Sequence, residues 1–144
     1  KAFKEDTQVL VEEFISGREF TIGVFKSNGK TTVLPITEII TENDFFDFEA
    51  KYQGKSKEVT PAQITDNMKL ELTAAATKAY AILNCRGVVR IDFIYNEAQQ
   101  KPYMLEVNTV PGQSDASVIP QQVRALGWSL TDFYGSIIED TLSK

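Results

Sequence analysis

The sequence predicts an α+β domain, with one largely antiparallel sheet flanked by helices, on three observations. Short stretches rich in β-branched and aromatic residues recur between positions 9 and 40 and again between 88 and 108. Asn28-Gly29 marks a tight hairpin within the first group. A long apolar stripe at helical spacing, from Ile64 to Leu83, separates the two groups.

The bulk composition narrows the field of functions. At 144 residues the chain is long enough for one domain with its own core. The net charge of −5 argues against a nucleic-acid surface, which needs a clustered basic face. No apolar run approaches the roughly 20 residues of a membrane span, and no signal peptide opens the chain. Cys85, the single cysteine, has no internal disulfide partner, which fits a reducing compartment. With no histidine, a serine–histidine triad and a histidine metal site are both excluded. Any metal must then be held by oxygen ligands, which selects hard cations such as Mg²⁺ or Ca²⁺. Lys1-Ala2-Phe3-Lys4 reads like the interior of a charged helix, so a fragment of a larger protein is expected.

In chain order, Val9-Leu10-Val11 has strand composition and Glu19 to Phe25 reads as a second strand. Asn28 and Gly29 both tolerate the positive φ that a type I′ turn demands. The turn leads into a strand from Thr32 to Ile40, where Pro35 requires an edge or a bulge. From Thr41 to Pro61 no period is evident, and a functional loop is expected. Ile64, Met68, Leu72, Ala75, Ala79 and Leu83 then form one face of a helix, which Cys85-Arg86-Gly87 ends. Val88 to Tyr95 and Tyr103 to Asn108 are two strands of a hairpin. A loop around Pro111-Gly112 precedes a short helix near Ser117–Ala125 that Gly127 terminates. Ser129 N-caps a last helix, with Leu130, Phe133, Ile137, Ile138 and Leu142 facing inward and Trp128 in the core or an interface.

The second hairpin carries the chemistry. Strand side chains alternate faces, so Arg90, Asp92 and Ile94 share one face, and Val89, Ile91 and Phe93 the other. Met104, Glu106 and Asn108 likewise oppose Leu105 and Val107. Centring the hairpin on Gln99 sets Asp92 opposite Glu106 and Arg90 opposite Asn108. Facing carboxylates repel, and two readings answer the repulsion. Either Arg90 relieves it on a solvated face, or a divalent cation does, held by the oxygens of Asp92, Glu106 and Asn108.

Other positions carry paired readings. Lys51 is either a solvated loop lysine or a phosphate contact on a closing lid, with Tyr52 beside it. Pro111-Gly112-Gln113-Ser114 is either a simple turn or a source of backbone N–H groups for an oxyanion. Ser117 either caps a helix or receives a carboxylate at its N-terminus. Glu12-Glu13-Phe14-Ile15 is either a strand end or a linker offering backbone hydrogen bonds to a base edge.

Four ordered motifs together resemble the D-alanine–D-alanine ligases of the ATP-grasp superfamily. They are Val-Leu-Val-Glu-Glu-Phe-Ile-Ser-Gly-Arg-Glu-Phe at 9–20, Phe-Asp-Phe-Glu-Ala-Lys-Tyr at 46–52, Gly-Val-Val-Arg-Ile-Asp-Phe at 87–93 and Leu-Glu-Val-Asn-Thr-Val-Pro-Gly at 105–112. The resemblance implies that residues 1–144 are the C-terminal ATP-grasp domain, with the N-terminal domain and the upstream part of the ATP-grasp region absent. It implies that Asp92, Glu106 and Asn108 hold a pair of Mg²⁺ (or Mn²⁺) ions bridging the ATP phosphates. Glu12, Glu13, Phe14 and Ile15 match the adenine linker, and Glu19 the acid that binds ribose. Phe45, Ile94 and Leu105 match the nucleotide's walls. Lys51 matches the contact to the transferred phosphoryl group, and Tyr52 the closing loop. Arg90 and the Gly112 N–H match the groups that stabilise the acyl phosphate and tetrahedral states. Ser117 and Val118 match the receivers of the second D-alanine's carboxylate.

The resemblance further implies a cytoplasmic enzyme for peptidoglycan precursors, with ATP and D-alanine as partners, no nucleic acid or membrane, and a homodimeric full-length form. Glu-Ala-Lys-Tyr fits the dipeptide-forming branch and argues against D-lactate as second substrate. A ligase for D-lactate or D-serine, and a fragment that only binds nucleotide, are the alternatives. Glu13 stands where several relatives have lysine, and Ser114-Asp115-Ala116 departs from the usual run before Ser117.

Overall fold

In the computed structural model, residues 2–41 and 56–143 are described. They form a six-stranded sheet in the order β4-β3-β1-β5-β6, with β2 also paired to β1. The strands are β1 (Arg18–Ser27), β2 (Lys30–Val33), β3 (Thr37–Thr41), β4 (Ser56–Val59), β5 (Val88–Asn96) and β6 (Lys101–Asn108). Every strand pairing is antiparallel. The helices are α1 (Asp66–Ile82), α2 (Val118–Ala125) and α3 (Leu130–Leu142).

Alternation along β1 explains how the sheet is buried on both sides. Phe20, Ile22 and Val24 point toward α1, where they pack with Met68, Leu72, Ala76 and Tyr80 and with Val89, Ile91, Phe93 and Tyr95 of β5. Phe25 points the other way, into a cluster with Leu34, Ile119, Val123 and Phe133 beneath α2 and α3. Gly23 belongs to this second side: a Cβ there would lie 2.6–2.7 Å from the side chains of Gln122, Ile119 and Leu34. Glycine is what lets α2 approach the strand.

The turn residues behave as their chemistry requires. Asn28 and Gly29 have φ of 50° and 74°, and Ser27 pairs with Lys30 across the hairpin. The expected strand from Thr32 to Ile40 is two strands, broken around Pro35. The register slips by one residue there, from Val24↔Val33 to Thr21↔Thr37. Thr65 caps α1 by accepting a hydrogen bond from the Met68 N–H, and Asn84 ends the helix at φ 50°. Ser129 caps α3 by accepting from the Asp132 N–H, and Gly127 turns the chain after α2 at φ 86°. Trp128 meets Phe25 edge to face and remains 40% exposed.

Several expectations are corrected. Val9-Leu10-Val11 forms no strand, because no strand among the described residues pairs with it, and Leu10 and Val11 are exposed. The stretch read as one loop from Thr41 to Pro61 contains β4, a polar strand that pairs with β3 through its backbone. Leu83 lies past the end of α1 and is exposed; the buried stripe runs Met68, Leu72, Ala76, Tyr80. Ile138 and Leu142 are exposed, since α3 buries a narrower face centred on Phe133. Leu105 does not pack on the apolar face: a bulge opens between Asp92↔Glu106 and Phe93↔Met104, and Leu105 is the extra residue, exposed.

Candidate active site

Three neighbouring strands bring the predicted charged set together. The expected register holds, with Asp92 opposite Glu106 and Arg90 opposite Asn108. On the other side of β5, Thr21 lies opposite Asp92, Gly23 opposite Arg90, and Glu19 opposite Ile94. Glu19, Arg90, Asp92, Ile94, Glu106 and Asn108 therefore share the sheet face that carries α2 and α3, beyond the apolar patch those helices cover.

Asp92 is held by three bonds. Its Oδ1 accepts from the Thr21 hydroxyl at 2.5 Å and from Arg90 Nε at 3.0 Å, and its Oδ2 accepts from Arg90 Nη2 at 2.9 Å. The same Nη2 lies 3.7 Å from Glu106 Oε1. A positive charge thus stands between the two facing carboxylates, where their repulsion is greatest. Burial opposes the charge on Arg90, but hydrogen bonding to Asp92 and the charges of Asp92, Glu106 and Glu58 overcome it and hold its pKa above the ordinary guanidinium value.

This arrangement fits a divalent cation. The donors are all oxygens, and the position of Nη2 is one from which a cation would neutralise both carboxylates. Among the described residues no group of three or more His, Cys, Asp or Glu gathers to hold a metal. The set is two carboxylates and an amide, which suits a cation that relies on substrate phosphates for the rest of its shell. Asn108 Oδ1 accepts from the Val110 N–H at 3.1 Å, and an amide oxygen carries a second lone pair.

The loop after β6 brings Gly112 and Ser117 together. A Cβ on Gly112 would lie 2.8 Å from Ser117 Oγ, so glycine is needed for the close approach. Ser117 occupies the N-cap position of α2, yet its hydroxyl makes no cap bond. It shares a hydrogen bond of 2.8 Å with Ser114 Oγ instead, which leaves the first N–H groups of α2, including that of Val118, without a side-chain cap. The Arg124–Asp115 ion pair at 2.7 Å ties this loop to the helix.

Other predicted residues stand apart. Glu12, Glu13, Phe14 and Ile15 run in irregular backbone before β1; Phe14 is exposed and Ile15 half-buried. Phe45, Lys51 and Tyr52 lie outside the described residues. Three residues that sequence reasoning missed surround the site. Thr21 holds Asp92. Gln122 is fully buried, accepts from the Gly23 N–H at 2.9 Å and donates to Thr21 O and to Thr37 Oγ1. Glu58 of β4 accepts from Gln121 Nε2 at 2.7 Å, and the same nitrogen donates to Ala116 O. The available signal was a polar residue among apolar ones at Gln122, between Ile119 and Val123, whereas Thr21 follows Glu19 on a polar stretch of its face and gave none.

The model of the family described as the D-Ala–D-Ala ligase C-terminus matches residues 1–139. The chain belongs to this family. It is 46% identical to a D-alanine–D-alanine ligase of Flavobacterium johnsoniae over 142 residues, covering 99% of the chain but 43% of that relative. The chain thus spans less than half the length of the curated relatives it matches. Among solved structures it resembles the D-alanine–D-alanine ligase of Bacillus anthracis complexed with ATP, at a TM-score of 0.73 and 30% identity over 92% of this chain and 40% of that one. It also resembles the VanG D-Ala:D-Ser ligase of Enterococcus faecalis, at a TM-score of 0.81 and 33% identity over 96% of this chain and 40% of that one. The fold is therefore that of the ATP-grasp ligases, as the sequence predicts, and no helix among the described residues is long and apolar enough to cross a membrane.

Proposed function

We propose that this chain is the C-terminal ATP-grasp domain of a cytoplasmic, homodimeric D-alanine–D-alanine ligase that serves peptidoglycan precursor synthesis. The observation that carries the reading is the cross-strand set Arg90, Asp92, Glu106 and Asn108, in register on one face of a family fold. Asp92, Glu106 and Asn108 would hold Mg²⁺ or Mn²⁺, which supplies charge neutralisation at the ATP phosphates. Glu12 to Ile15 and Glu19 would take adenine and ribose, with Phe45, Ile94 and Leu105 around the nucleotide.

The reaction transfers the γ-phosphoryl group of ATP to a carboxylate oxygen of the first D-alanine; the new P–O bond forms as the bond to ADP breaks. The amine of the second D-alanine then attacks the acyl carbon, and phosphate leaves. Arg90 offers a fixed cation to the negative charge that gathers on the transferred group; by the family resemblance Lys51 would contact that group and Tyr52 would serve the closing loop. The Gly112 N–H faces the tetrahedral oxygen, and the N-terminus of α2 at Ser117 and Val118 receives the second carboxylate. These are contributions of position and charge, and no protein atom forms a bond to substrate.

In the complete natural protein, phosphate release from ATP should depend on D-alanine, and Asp92→Ala or Glu106→Ala should abolish it. Turnover with another carboxylate and amine but not with D-alanine would overturn the reading. The likeness to a D-Ala:D-Ser ligase supports a second reading, in which D-serine is the acceptor. Mass analysis of products from paired D-alanine and D-serine separates the two.

A further inference from the structure

The residues expected to meet a cation leave open how Asp92 keeps its orientation once the cation arrives. At present Arg90 supplies two of the three bonds to Asp92, and Nη2 stands between Asp92 and Glu106. A cation that neutralises both carboxylates needs that same position. Arg90 must then yield at least its Nη2 contact, and the support left to Asp92 is the Arg90 Nε bond and the Thr21 hydroxyl of β1, both at Oδ1.

The Thr21 hydroxyl is built for that role. Thr21 is 4% exposed, and its hydroxyl donates to Asp92 Oδ1 at 2.5 Å from the facing position on β1. An ionised carboxylate makes this a charge-assisted bond, shorter and stronger than one between neutral groups. Thr21 cannot drift, because its carbonyl accepts from the buried Gln122 amide at 2.9 Å, and the same amide accepts from the Gly23 N–H. The Gln122 amide fills the gap where the β1 ladder loses its partner at the Pro35 break. A fully buried amide thus fixes the backbone of the residue that fixes the carboxylate.

We infer that Thr21 is a positioning residue for Asp92. It ties Oδ1 to the sheet and leaves Oδ2, which now accepts from Arg90 Nη2, for the cation. It touches neither substrate nor cation. The inference rests on the ligase reading above, and its test separates the two.

The test uses the complete natural protein with Mn²⁺ and a non-hydrolysable ATP analogue, reading free Mn²⁺ by electron paramagnetic resonance. Thr21→Val keeps the shape and removes the hydroxyl; Thr21→Ser keeps the hydroxyl. Loss of a group that orients a metal ligand typically weakens metal affinity by about 10–100-fold. Thr21→Val should therefore bind Mn²⁺ at least about 10-fold more weakly, Thr21→Ser should recover most of the loss, and excess Mn²⁺ should restore D-alanine-dependent phosphate release to the valine variant. Thr21→Ala gives the same reading should valine perturb the fold. Unchanged Mn²⁺ affinity in the valine and alanine variants, or a serine variant as weak as valine, overturns the inference while leaving the ligase reading intact. A wild-type protein that takes up no Mn²⁺ with the nucleotide overturns both.

Discussion

The two faces of β1 and β5 use the same backbone for opposite ends. Toward α1, every second residue from Val89 to Tyr95 is buried against Phe20, Ile22 and Val24, and the contact is apolar apart from its rim. On the other face, the alternate positions hold Arg90, Asp92 and Ile94, and the buried apolar cluster is confined to the part beneath α2 and α3. The first face is stabilised by area and shape, which many side chains supply. The second depends on a few directed bonds, so a small chemical change there should cost function before it costs the fold.

Deleting bulk from the α1 face tests this most severely. Phe93 is 2% exposed, and Phe93→Ala should destabilise the domain by about 3–5 kcal/mol, seen as a large drop in the urea midpoint. On the opposite face Gln122→Leu conserves volume but strips the amide, leaving the Gly23 N–H and the Thr21 carbonyl buried without their partner. Two unsatisfied buried groups at about 1–3 kcal/mol each sum to about 2–6 kcal/mol, and burial of the apolar leucine side chain offsets up to about 2 kcal/mol, so a net loss of roughly 2–4 kcal/mol is expected by the same measurement. A loss larger than that of Phe93→Ala would reverse the contrast between the faces.

Parity explains how much of this was legible in the sequence. Alternation assigns Val89, Ile91 and Phe93 to the core and Arg90 and Asp92 to the opposite face, and both placements hold because β5 is regular across them. The facing of Asp92 and Glu106 was legible as well, although a centre at Gln99 describes the hairpin only from that pair to Asn108, and toward the turn the pairs run one residue off, from Phe93↔Met104 to Asn96↔Lys101. The bulge just beyond that pair was not. An extra residue leaves no mark in a pattern of period two, and it moved Leu105 out of the apolar layer. Pro35 marked where the ladder is irregular, because a residue without an N–H cannot continue it, but an edge or a bulge was expected there and not two strands. Val9-Leu10-Val11 misled for a related reason: strand composition is local, whereas a strand exists only with a neighbour. Thr21 and Gln122 stayed hidden, because their roles rest on contacts between positions far apart in the chain.

The smallest expected effect sharpens the picture of the α1 face, whose rim is polar. The Tyr95 hydroxyl donates to Glu71 of α1, and that hydrogen bond, with burial behind it, pushes the Tyr95 pKa up to about 12. Burial is the main cause of a similar rise at Tyr80, also to about 12, and its hydroxyl donates to Gly87 O at 2.8 Å. Both phenols are favoured in their protonated form by folding. A group whose pKa is raised on folding lends stability in full below its unfolded value, here 10.0, and loses it as pH rises through the folded value. Stability should therefore be flat with respect to these groups below about pH 10 and fall toward pH 12, with two late phenolate signals in an ultraviolet titration. Tyr95→Phe should remove one of those signals and shallow the alkaline decline. If the decline keeps its full slope in that variant, the clip to Glu71 adds nothing, and α1 is held to the sheet by its apolar contacts alone.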